Sequence, residues 1–126
     1  RKDLGKFFRS GWEANLARYL NHLMIPWEYE PQVFTFKGVK HGTVSYCPDF
    51  KTTVGWIEVK GFMDSKSKTQ IRRFKKDYPE EFKQLRAVVG SPNTAAAKFF
   101  TSMGVPIYRY YNELNKEAKK TILYWE

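Results

Sequence analysis

The sequence predicts an α/β fold in which a mixed central β-sheet is flanked by helices. Three observations carry that expectation. An amphipathic helical stripe lies near the start, short aromatic and β-branched segments fill the middle, and after Lys60 helical periodicity alternates with short apolar runs. The resulting order is α, several β, then α, β, α, β, α. The 126 residues hold no internal repeat, low-complexity tract or Pro/Gly/Ser-rich linker, so residues 1–126 read as one domain with one core.

The first element spans residues 10–24, where Trp12, Leu16, Tyr19, Leu20 and Leu23 recur at helical spacing and Pro26 follows. Residues 27–36, WEYEPQVFTF, read as a strand in which Pro31 marks an edge or a bulge, and KGVKHG after it supplies turn chemistry. Short strands are expected at 44–46 and 50–54. A tight turn centred on Thr53 and Val54 returns the chain along 56–60, giving an antiparallel meander. Residues 66–76 carry Ile71 and Phe74 at helical spacing, and Tyr78-Pro79 ends that helix because the residue before a proline is pushed out of the α region. A strand at 86–89, a helix at 94–103 stopped by Gly104, a strand at 105–110 and a helix at 112–125 complete the order.

Composition narrows the function classes. With 22 Lys and Arg against 13 Asp and Glu, the formal charge is +9, which favours polyanionic partners, nucleic acid first. A disordered basic tail is excluded, because 17% of the residues are aromatic and such tails lack the apolar surface to offset ordering entropy. Cys47 is the only cysteine, so neither an internal disulfide nor a cysteine-based zinc site is expected, and a reducing cytoplasm fits. No apolar run approaches the ~20 residues of a membrane span, and the first residues lack the apolar core of a signal peptide. No Gly-rich phosphate loop suggests nucleotide use.

The segment CPDFKTTVGWIEVKG, 47–61, is where chemistry concentrates. Residues two apart on a strand share a face, so Trp56, Glu58 and Lys60 lie on one side while Ile57 and Val59 enter the opposite, apolar layer. With the turn centred between Thr53 and Val54, Asp49 falls directly across from Glu58, with Cβ atoms ~4.5–5.5 Å apart. Carboxylates that close repel, and each tends to keep a proton unless a positive charge sits between them. A hard divalent cation answers that conflict: Mg²⁺, with Mn²⁺ as its substitute, held by Asp49, Glu58 and the Val59 backbone carbonyl. Lys60 would then hold or help deprotonate an attacking water and offset charge developing on a phosphate. The plainer reading places Asp49 in a turn after Pro48 and makes Glu58 and Lys60 a weak ion pair on a solvated strand face.

Pro48-Asp49 followed by Glu58-Val59-Lys60 resembles the P-D…(D/E)-x-K signature of the restriction-endonuclease-like nuclease superfamily. FRSGWE (8–13), WEYE (27–30), YCPDF (46–50) and IEVKG (57–61) are similar in order and spacing to the phage junction-resolving endonuclease I family, over about residues 7–90. The resemblance implies a restriction-endonuclease-like core in α-β-β-β-α-β order, with further helices after it. It implies metal binding by Asp49 and Glu58, assistance by Lys60, and Glu13 as a fourth site residue with possible metal contact. It also implies a metal-dependent DNA endonuclease acting on branched or Holliday-junction DNA in recombination or repair. The setting would be the cytoplasm of a bacterium or phage-infected host, with a symmetric homodimer making paired cuts. Glu13 has a second reading, since Ser10-x-x-Glu13 is also a capping-box pattern that serves only helix initiation.

The helix at 66–76 carries Lys66, Lys68, Arg72, Arg73, Lys75 and Lys76 with no acid before Asp77. Lys68, Arg72, Lys75 and Lys76 group on one face, suited to phosphates or merely solvated. Gln70 is a weaker candidate aimed at the site, and His41, in a K-H-G turn, a weaker DNA contact. His22 reads as structural or solvent-facing, and Cys47 as a small buried residue. Three alternatives stand beside the nuclease: a non-catalytic basic nucleic-acid-binding module, a ribonuclease or RNA-binding domain, and a transposase-type or mismatch-repair-type nicking enzyme of the same superfamily.

Overall fold

The computed structural model describes Phe8 and residues 11–53, 55–91 and 93–109. Helix α1 (Gly11–His22) buries Glu13, Ala14, Leu16, Ala17 and Leu20. It stops when Met24 N and Ile25 N donate to the Asn21 and Leu20 carbonyls at 3.0 and 2.9 Å, with Met24 in the left-handed region at φ 59. That bond pair is a Schellman ending, with a methionine where glycine usually sits.

Among the described residues, seven strands follow in two sheets. β1 (Trp27–Tyr29), β4 (Phe50–Thr52), β5 (Gly55–Lys60), β6 (Leu85–Val89) and β7 (Ile107–Arg109) form a five-stranded mixed sheet in the order β1-β4-β5-β6-β7. Pairing is antiparallel from β1 to β5 and parallel from β5 to β7. β2 (Phe34–Thr35) and β3 (Ser45–Tyr46) pair with each other in a two-stranded sheet. The parallel half needs crossover connections, which α2 (Ser65–Asp77), α3 (Pro79–Phe82) and α4 (Ala95–Ser102) supply.

Each face of the large sheet carries its own apolar layer, because alternate residues of β5 point opposite ways. Ile57 and Val59 join Phe50, Val88, Phe8 and the buried stripe of α1. Trp56 joins Ala87, Val89 and the side chains of α2, α3 and α4, with Phe74 and Phe100 fully buried among them. This confirms the division of β5 expected from its sequence. α2 begins at Asp64, whose carboxylate accepts from Ser67 N at 2.8 Å. Thr94 caps α4 in the same way through Ala97 N.

Two expectations need correction. The strand expected over 27–36 is two strands in different sheets, because Glu30 turns the chain at φ 48 just before Pro31. The meander is therefore β1, β4 and β5, and β3 leaves it to pair with β2. Tyr78-Pro79 ends α2 as expected, yet Pro79 then opens α3 at a first-turn position where its missing N–H has no helical partner to lose. The helix expected over 112–125 lies outside the described residues. Among the described residues, no helix is long and apolar enough to cross a membrane.

Candidate active site

The site forms where β4 stops and β5 continues. Their register pairs Thr52 with Gly55, Lys51 with Trp56 and Phe50 with Ile57, so the next step sets Asp49 opposite Glu58. The tight turn expected from the sequence produces this alignment. At the following step the regular ladder gives way: Asp49 Oδ2 accepts from Val59 N at 2.7 Å, and the Asp49 carbonyl accepts from Glu30 N at 2.8 Å. The Val59 carbonyl leaves β5 on the same edge as its N–H, because backbone groups alternate by residue along a strand.

Glu58 is 6% exposed, on the face it shares with Trp56 and Lys60. Its Oε1 accepts from the Tyr46 hydroxyl at 2.7 Å, and Lys60 Nζ stands 4.0 Å from its Oε2. Glu13 is also buried, and its Oε2 accepts from the Tyr29 hydroxyl on β1. The structure thus places Glu13, Asp49, Glu58 and Lys60 within one electrostatic neighbourhood, since both Glu13 and Lys60 act on the two central carboxylates.

Burial pushes the Asp49 carboxyl well above the ordinary range, the Glu58 charge adds to that, and the Val59 N–H opposes it. Burial also raises Glu58, against the Tyr46 hydroxyl and the Lys60 ammonium. Burial, followed by the Glu58 charge, raises the Tyr46 phenol well above its usual value, so that hydroxyl remains a donor.

Donor chemistry suits a hard cation. The hydrogen bonds use Oδ2 of Asp49 and Oε1 of Glu58, and Glu58 Oε2 faces Lys60. Among the described residues no group of three or more His, Cys, Asp or Glu side chains has metal-holding geometry. Two carboxylates and a backbone oxygen would match the small share of protein ligands that Mg²⁺ takes when water and substrate phosphate complete its shell.

The other sequence-derived candidates lie elsewhere. Lys68 and Arg72 sit over the Phe99 ring at 6.0 and 5.4 Å and Lys75 over Phe82 at 5.5 Å, so this flank of α2 runs beside α3 and α4. Lys76 is exposed on α2 and His41 in the loop between β2 and β3. Gln70 Nε2 donates to the Ser45 carbonyl at 3.0 Å, tying α2 to β3. Sequence reasoning missed Tyr29 and Tyr46. The available signal was general: a buried tyrosine hydroxyl seeks a polar partner, and Tyr46 sits three residues before Asp49. Comparison with known protein families, characterised proteins and solved structures finds no match for this chain.

Proposed function

We propose that this chain is a metal-dependent DNA endonuclease that hydrolyses backbone phosphodiesters, with a restriction-endonuclease-like core. One observation carries the reading: Asp49 and Glu58 face each other across the step between β4 and β5, both held above their ordinary pKa, with Lys60 beside them. The fold adds support. Counted over the five-stranded sheet alone, the elements run α1, β1, β4, β5, then α2 and α3, then β6, which contains the α-β-β-β-α-β order.

Asp49 Oδ1, Glu58 Oε2 and the Val59 carbonyl would hold Mg²⁺, or Mn²⁺ in its place, with Glu13 approaching from α1. A bound divalent cation supplies Lewis acidity toward a phosphate oxygen and neutralises the paired carboxylates. The Lys60 ammonium positions a water and stabilises negative charge on the scissile phosphate. The basic flank of α2 gives the nucleic-acid backbone a counter-charge. Branched DNA as the preferred substrate, and a homodimer matching its symmetry, extend the same reading.

The test is cleavage of supercoiled plasmid, nicked plasmid, four-way-junction DNA and RNA in Mg²⁺, Mn²⁺ or Ca²⁺. DNA products are expected with Mg²⁺ or Mn²⁺, and Asp49→Ala, Glu58→Ala and Lys60→Ala should each lower the rate ~100-fold or more while DNA binding persists. Unchanged cutting by all three variants overturns the mechanism. Salt-sensitive binding without product in any metal identifies a non-catalytic module, and preferential cutting of RNA a ribonuclease.

A further inference from the structure

We propose that Tyr46 is a positioning residue for Glu58 and that α2 sets it through Gln70. This inference rests on the cation reading above. The two oxygens of Glu58 have different surroundings: Tyr46 donates to Oε1 at 2.7 Å, while Oε2 faces Lys60 at 4.0 Å. With Oε1 engaged, the carboxylate cannot rotate freely, and Oε2 is the oxygen turned toward Lys60.

Tyr46 is itself fixed. It is buried, its ring lies 5.1 Å from that of Phe74, and it pairs with Phe34 across the small sheet. β3 is fastened to α2 by Gln70 to the Ser45 carbonyl at 3.0 Å and by Arg73 to the Thr43 carbonyl. A continuous run of contacts therefore leads from α2 through Gln70, β3 and Tyr46 to the Glu58 carboxylate. Groups that orient a metal ligand from behind set its affinity, and their removal typically lowers binding ~10–100-fold. The hydroxyl adds little apolar packing that the ring of a phenylalanine would not supply, so its value at this position lies in the bond.

A double-mutant cycle on Mn²⁺ binding tests this. Binding is read by the EPR signal of free Mn²⁺ in the absence of DNA, so turnover plays no part. Tyr46→Phe is expected to weaken Mn²⁺ binding about ten-fold with its circular dichroism spectrum retained, and Gln70→Ala to weaken it a few-fold. In a Glu58→Gln background neither change should weaken binding further. Unaltered affinity in Tyr46→Phe, or the same loss with and without the Glu58 carboxylate, overturns the positioning role. Should Tyr46→Phe fail to fold, Gln70→Ala decides the question by the same cycle. If Glu58→Gln alone leaves Mn²⁺ binding unchanged, the cation reading falls and this role with it. A loss in Glu58→Gln with none in Tyr46→Phe removes only the positioning role.

Discussion

The two ends of the β4–β5 pair differ in kind. At the closed end, Thr52 and Gly55 pair, Thr52 Oγ1 donates to the Gly55 carbonyl at 2.8 Å, and Trp56 N donates to the Gln84 carbonyl at 2.9 Å. Gly55 adopts φ 127 and lies so near β6 that a Cβ there would stand 2.3 Å from the Gln84 oxygen. At the open end, three residues along the same strand, Glu58 faces Asp49 and burial works against both charges. The closed end is arranged for packing and satisfied hydrogen bonds. Because it fixes the register, it also holds two acids together at the other end, where burial opposes the ionisation of both.

The sharpest way to break this contrast is at the closed end. Gly55→Ala combines a left-handed backbone with a clash against backbone rather than a movable side chain. We expect a loss of about 3 kcal/mol or more in urea unfolding. Because register passes from this turn to Asp49, Mn²⁺ binding should fall in whatever fraction remains folded. An unchanged unfolding midpoint would show that the turn does not set the pair.

The open end should respond in the opposite sense. Asp49→Asn keeps an acceptor for Val59 N–H and is neutral without taking up a proton on folding, so in chelator at pH 8 it should stabilise the protein by about 1–2 kcal/mol. It should also abolish cleavage. The sign of the pH dependence follows from the raised carboxyls, which bind a proton more tightly folded than unfolded. Their contribution is complete below the ordinary carboxylate range near pH ~4 and is lost as pH rises through the raised values. Thermal midpoints of the metal-free protein should therefore fall from pH 5 to pH 8 more steeply than those of Asp49→Asn. Saturating Mn²⁺ should offset the loss in the parent chain only. Parallel pH profiles for the two proteins would show that the pair carries no such strain.

Local periodicity made much of the fold and of the central pair legible. The apolar stripe of α1 and the alternation along β5 are properties of contiguous residues, and the pairing of Thr52 with Gly55 fixes Asp49 against Glu58 by counting. What stayed hidden depends on residues distant in sequence. The kink at Glu30 that separates β1 from β2, the pairing of β3 with β2 and the engagement of Gln70 with Ser45 are settled by tertiary contacts that no window of the chain contains. Glu13 illustrates the boundary. Its sequence allowed a helix cap or a site residue, and only packing shows it buried against Tyr29 and acting on the paired acids.

The smallest expected effect lies outside the β4–β5 pair and serves to sharpen the comparison. Met24 is 87% exposed and holds φ 59 at the end of α1, so its side chain contributes little packing while its Cβ strains the backbone. Glycine relieves that strain but gives the unfolded chain more freedom, and the two effects partly cancel. Met24→Gly should therefore stabilise by only about 0.5 kcal/mol in urea unfolding, with the Schellman bonds from Met24 and Ile25 retained. Its stability should fall with pH as steeply as the parent's, since neither Asp49 nor Glu58 is altered. A stabilised variant whose pH slope stays put ties that slope to the carboxylates; a slope that flattened along with the gain would mean that it reports general stability instead.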